Sequence, residues 1–235
     1  MKLGKALTAA LYPRYWKALS AAVVPTIEHG PGLAGVSPAT VIDVGANKGQ
    51  FTAFARARWP RARFFAFEPL PGPSRRFRAI FGDRVPLYNL ALGREDATLE
   101  IHIASREDSS SLLPIGRLQV EEFHTAEVAT LSVPVRRLDG VLGDGSIVAP
   151  ALLKIDVQGF EHEVLQGCTG IADLIEWIYV EVSFVELYQG QKLYGEVERL
   201  LTSMGYDLVR EHNVQLGKSG SKIQADILFA RRGRS

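Results

Sequence analysis

From about residue 39 onward, short β-branched and aromatic runs alternate with stretches of helical period, and this rhythm constrains the fold more than any other feature. "TVIDVG" (40–45) reads as a buried strand and "GQFTAFARARW" (49–59) as a helix. "ARFFAFEP" (62–69) and "PSRRFRAIFG" (73–82) repeat the unit, and "VPLYNLAL" (85–92) is expected as a third strand. An alternating strand, "TLEIHIA", leads into a serine-rich loop near 105–111, and "EVATLSVPVRRL" (127–138) is a further strand limited at Pro134. "LLKIDVQGFEHEVLQG" (152–167) supplies a strand and a helix, and "EWIYVEVSF" (176–184) the next buried strand. "YGEVERLLTSMG" (194–205) is a helix stopped at Gly205, and "YDLVR" and "QADILFARR" close the chain as a hairpin.

Strands separated by helices call for an α/β fold, a mostly parallel sheet covered on both faces, with the closing pair antiparallel at one edge. The apolar fraction of 46% supports a substantial core. With 27 basic against 26 acidic residues, a broad basic face for nucleic acid is not expected. The one cysteine, Cys168, offers neither an internal disulfide nor zinc-type spacing, which points to a reducing, cytoplasmic setting.

The N-terminus, "MKLGKALTAALYPRYWKALSAAVVP", has an apolar stretch like a signal peptide's, but Pro13 and Arg14 cut it short and no clean cleavage site follows. Leu3, Leu7, Leu11, Tyr15 and Leu19 recur every four positions among Lys2, Lys5, Arg14 and Lys17, which predicts an amphipathic helix or a pair of helices. The expected organisation is a helical extension over 1–35 and one main domain over 36–235. The extension has three open roles: capping a pocket of that domain, pairing with a second copy, or resting on a lipid surface.

In open parallel sheets ligands gather outside the carboxyl ends of the strands. The first strand ends in "DVGANKGQF", where Gly45 and Gly49 allow a tight turn and close backbone approach. The loop is not G-x-G-x-x-G, and Asp43 would repel a pyrophosphate. Glu68 closes the second strand about 20 residues beyond the loop, where a carboxylate accepts hydrogen bonds from ribose hydroxyls. Asp43, the glycine loop and Glu68 together fit a nucleoside bearing a cation and no phosphates, and S-adenosylmethionine is such a ligand. A hydride-transfer enzyme is disfavoured on the same residues.

Lys154 and Asp156 lie on one side of their strand at the mouth of the same crevice. A carboxylate there can take the proton of an acceptor hydroxyl while an ammonium steadies the developing charge. A purely structural ion pair is the competing reading. Glu181, inside "IYVEVSF", needs a partner, for which Lys154 is the candidate, and His162 is an alternative base by its ordinary pKa. Asp108 and Ser109–Ser111 are candidates for a lid. Asp156 and Glu181 are too few oxygen ligands to specify a divalent ion, so no metal site is assigned.

"VIDVGANKGQF", "FAFEP", "NLALG", "SSSL", "LLKIDVQGFEHEVLQG", "VEVSF" and "QADILFAR", in this order, resemble the FkbM-type AdoMet-dependent methyltransferases over about 40–231. The resemblance implies the class I methyltransferase sheet, order 3-2-1-4-5-7-6 with an antiparallel last strand. It implies that Asp43, Gly45, Ala46, Asn47 and Gly49 line the methionine end of the cofactor and that Glu68, with Pro69 beside it, holds the ribose. Asn89 and Ala91 would reach the adenine, and Lys154 and Asp156 would flank the reacting methyl. It further implies O-methylation of a small molecule: a sugar, glycolipid or polyketide. Methylation of nitrogen or of a protein side chain, and a nucleoside-binding module without catalysis, are the alternatives.

Overall fold

The structure, a computed structural model, describes residues 2–143 and 145–233; the side chains of Lys2, Leu3, Lys5 and Glu107 lie outside that description. The chain opens with α1 (Lys2–Ala10) and α2 (Trp16–Ser20), joined by a 3-10 turn at Pro13–Tyr15. Ala18 joins the core, Arg14 in the turn donates to the Ala57 carbonyl, and Ala9 and Tyr15 are buried, whereas Leu7 and Leu11 remain 65% and 78% exposed. No described helix is long and apolar enough to cross a membrane.

The alternating region then gives β1 (Thr40–Val44), α3 (Gln50–Arg58), β2 (Arg63–Phe67), α4 (Pro71–Phe81), β3 (Leu87–Tyr88), β4 (Ala91–Leu92) and β5 (Ala97–Ala104). It continues as α5 (Arg117–Phe123), β6 (Glu127–Arg136), α6 (Leu138–Val141), β7 (Ala151–Ile155), α7 (Glu161–Gln166) and β8 (Ile175–Ser183). The chain ends with α8 (Tyr194–Ser203), β9 (Tyr206–Leu216) and β10 (Lys222–Arg231). Seven strands form the main sheet in the order β3-β2-β1-β7-β8-β10-β9, with β10 antiparallel to both neighbours. In order of appearance within this sheet that is 3-2-1-4-5-7-6, as the resemblance implied.

β1 and β7 are buried at every residue, which is why they read as unbroken apolar runs. On one face of the sheet Ile42, Leu153, Ile155 and Val180 pack with Val164 and Leu165 of α7. On the other, Val41, Leu152 and Tyr179 pack with Phe51 and Phe54 of α3 and with Leu33 and Val36 of the N-terminal segment. Arg210 holds that segment to β9 by donating to the carbonyls of Pro31, Gly32 and Ala34.

Two expectations are corrected. The third strand is not continuous: β3 pairs with β2, but β4 joins a separate three-stranded sheet in the order β4-β6-β5. Between them Asn89 donates to the carbonyl of Glu68 and to Ser74, pinning the chain where it leaves one sheet for the other. Nor does Pro134 limit β6, which runs through it to Arg136 while Pro134 pairs with Thr98 of β5. β4 pairs with β6 only at Val135 and Arg136, so at Pro134 the other edge has no partner strand and a missing N–H breaks no ladder there.

Candidate active site

β1, β2 and β7 end along one cleft of about 930 Å³, counted to its open mouth. At the end of β1, Gly45 has φ of +74°, and a Cβ there would stand 1.8 Å from the Asp156 carbonyl oxygen. The glycine turn therefore presses directly on the end of β7, which joins the two charged motifs physically. Gly49 has φ of +87° and starts α3, with Phe77 and Phe81 of α4 where a side chain would go.

Glu68 is 5% exposed and lines the cleft. Its two carboxylate oxygens accept from the backbone N–H groups of Asn47 at 2.9 Å and Leu70 at 2.8 Å. Burial nonetheless pushes Glu68 up to about 7, against the pull of those N–H groups and of Lys154. A buried carboxylate facing a cleft can accept further donors on its remaining lone pairs.

Asp43 is buried, accepts from the Thr52 hydroxyl at 2.6 Å, and lies 3.4 Å from Lys154 Nζ. Lys154 is also 3.5 Å from Asp156 Oδ2 and sits over the Phe51 ring. Burial acts to lower its pKa, but the charges of Asp156, Asp43 and Asp226 hold it above its ordinary value. Two buried ions would each cost several kcal/mol if left alone, so Lys154 and Asp43 depend on each other. Asp156 differs: its side chain is 37% exposed and lines the cleft, with the Gln158 amide donating to Oδ1 at 2.7 Å. Asp156 thus presents a carboxylate to whatever enters.

Of the other expected residues, Ala46, Asn47, Pro69 and Ala91 also line the cleft, Ala91 beside Leu90 and Leu92. The Asn89 side chain is spent on the sheet-to-sheet crossing instead, and its residue does not line the cleft. Glu181 does not pair with Lys154; the amides of Gln158 and Gln224 donate to its Oε2, each at 3.0 Å. Burial, joined by Asp156, Asp226 and Glu161, raises its pKa well above the ordinary value. His162 is not at the cleft: it lies 3.8 Å from Glu163, about 100° round the helix from Glu161. Glu161 takes the inward position, accepting from the N–H groups of Val157 and Gly159.

Asp108 and Ser110 do form part of the wall, and Ser111 fastens their loop by donating to the Gln158 carbonyl at 2.6 Å. The sequence reading missed Thr26, His29, Phe51, Gln158 and Phe160. Gln158 has φ of +57° and its amide links Asp156 to Glu181, an arrangement that only its position before Gly159 hinted at. His29 carried no signal, since its place depends on where the N-terminal segment crosses the sheet.

Residues 43–208 match the methyltransferase FkbM domain. The 31-O-demethyl-FK506 methyltransferase FkbM of Streptomyces tacrolimicus is 30% identical over 197 residues, covering 74% of each chain. The 2-O-methyltransferase NoeI of Sinorhizobium fredii is 28% identical over 180 residues, 73% of each chain. The hexuronic acid methyltransferase AglP of Haloferax volcanii is 26% identical over 180 residues, 73% of this chain and 70% of its own. The matched span takes in the glycine turn, the Glu68 strand end and the Lys154–Asp156 strand, and so the chain belongs to the FkbM methyltransferase family, as an enzyme that draws its methyl group from S-adenosylmethionine.

Proposed function

We propose that the protein transfers this methyl group to a hydroxyl of a small molecule of the sugar, glycolipid or polyketide type. The observation that carries the reading is Asp156, a carboxylate open to the cleft whose neighbour Lys154 is fixed behind it. Relatives named for 2-O-methylation and for a hexuronic acid support a hydroxyl acceptor.

The cleft's own chemistry fits the donor: a buried carboxylate at Glu68 for ribose hydroxyls, apolar Leu90, Leu92 and Phe160 for a flat base, and carboxylates nearby for a cation. When bound, S-adenosylmethionine supplies an electrophilic methyl on a positively charged sulfur. The proposed holding residues are Gly45, Ala46 and Asn47 at the amino-acid end and Glu68 with Pro69 at the ribose, while Asp43 and Gly49, which do not line the cleft, shape the turn from behind. Leu90 and Ala91 take the base. Asp156 accepts a hydrogen bond from the acceptor hydroxyl and aims its oxygen, and Lys154 fixes Asp156. Alignment of this kind supplies much of the acceleration of an in-line displacement. Residues 36–235 are proposed as the catalytic domain, with 1–35 covering one of its faces.

The test is transfer from labelled S-adenosylmethionine into a small-molecule extract of the source organism, followed by identification of the product. A methyl ether is expected. Label on nitrogen or on protein would overturn the reading.

A further inference from the structure

His29 lines the same cleft as Asp156 but arrives from the N-terminal segment rather than from the sheet. Its ring stands edge-on to Phe51 of α3 and to Tyr179 of β8, with centroids 5.5 Å away in each case. Nδ1 is 3.2 Å from Oδ2 of Asp226 on β10 and 3.1 Å from the Tyr179 hydroxyl. Asn213 of β9 has its amide nitrogen 3.2 Å from Nδ1 and donates to the same Asp226 oxygen at 2.7 Å.

Asp226 is a buried carboxylate that stays ionised. Burial pushes its pKa up, but the hydrogen bond and charge of His29, with hydrogen bonds from Asn213 and Tyr179, hold it below the ordinary value. An anion fixed beside Nδ1 favours the proton on that nitrogen and leaves the lone pair on Nε2. The polar contacts of the His29 ring with described residues fall on Nδ1.

A contact that merely fastened the N-terminal segment would be redundant. Arg210 already holds the carbonyls of Pro31, Gly32 and Ala34, and the His212 ring is 2.9 Å from that of Glu28. Asp156, for its part, has Oδ1 engaged by Gln158 and Oδ2 by Lys154. It suits orientation of an acceptor better than removal of its proton.

We propose that His29 is the general base for the acceptor hydroxyl, with Asp226 and Tyr179 as positioning residues that fix its tautomer and its ring. The inference rests on the methyl-transfer reading above. The acceptor oxygen gains the methyl carbon and gives up its proton to Nε2. The pair of the broken carbon–sulfur bond remains on sulfur, which becomes a neutral thioether, and the imidazolium formed is balanced by Asp226. The ionisable groups around the ring are Asp226 on β10, Tyr179 on β8, Glu28 beside it in the chain, and Lys154 across the Phe51 ring.

Nitrogen-15 NMR of the full chain, with His29 identified by its loss in His29→Gln, reads the tautomer without any acceptor. The Nδ1–H form is expected, weakened in Asp226→Asn and regained in Asp226→Glu; an Nε2–H form in the wild type overturns the proposal. In the labelled-methyl assay with the same extract, His29→Gln should lower the rate about 100-fold or more. Its Kd for S-adenosylmethionine should stay within about twofold by calorimetry, because no holding residue has changed. A His29→Gln variant that transfers label at the wild-type rate overturns this inference and leaves the methyl-transfer reading standing. A wild type that binds the donor but transfers no label overturns both.

Discussion

Burial has moved the titration of Glu68 to about pH 7, and this makes its role at the ribose measurable. The ionised carboxylate accepts two donors, whereas the protonated acid gives up part of that capacity. If the ionised form alone holds the ribose hydroxyls, apparent affinity follows the ionised fraction. For a pKa near 7 that fraction is about 9% at pH 6 and about 91% at pH 8. Rising pH therefore strengthens binding, by about tenfold over the interval, or about 1.4 kcal/mol. Calorimetric titration with S-adenosylhomocysteine across this range is the assay. Glu68→Gln should bind more weakly at pH 8 and lose the slope, apart from the ligand's own titration, which both proteins share. Glu161 is the control, since burial also lifts it to about 7 but its carboxylate is turned onto the N–H groups of Val157 and Gly159. Glu161→Gln should keep the wild-type slope. A wild-type Kd that is flat from pH 6 to 8, or a Glu68→Gln variant with the wild-type slope, refutes the reasoning.

Lys154→Met strands the buried Asp43 and should cost about 3–5 kcal/mol. A melting point lowered by on the order of 10 °C would register it, and an unchanged one would dissolve the pairing argument. Asp156→Asn should leave the donor Kd within about twofold and reduce turnover at least tenfold; full activity would return Asp156 to a structural role. His162→Ala should turn over at the wild-type rate, because the side chain lies off the cleft. Leu7, Leu11, Tyr12 and Trp16 are exposed together, so the chain is expected to float with anionic vesicles and to lose that on Leu7→Ser/Leu11→Ser/Trp16→Ser substitution. Equal flotation of the two would discard the lipid role.

The main sheet was legible because strands buried on both faces must be continuously apolar, as β1, β7 and β8 nearly are. The second sheet was not. β6 is mostly exposed and its pairing with β5 is set by long-range register, while a single side chain, Asn89, decides where the third strand breaks. Charges inside apolar strands carried the site: Asp43, Lys154 and Glu181 all stand near the cleft edge, even though the partner expected for Glu181 was wrong. His162 misled because helix phase, not proximity in sequence, determines which side chain looks inward.

Asp226 obeyed the same rule as Lys154 and was passed over for a reason of geometry. It too is a charge in an apolar strand, "QADILFAR", but that strand runs the other way. In a parallel strand the carboxyl end meets the ligand edge; in an antiparallel neighbour it is the amino end that does so. Asp226 is the fifth residue of β10 (Lys222–Arg231), opposite Glu181 in the ladder, and so at the same edge. A search of carboxyl ends alone must miss it. The antiparallel strand is therefore what carries an anion to His29, and the base proposed for this enzyme depends on the one strand whose direction breaks the pattern.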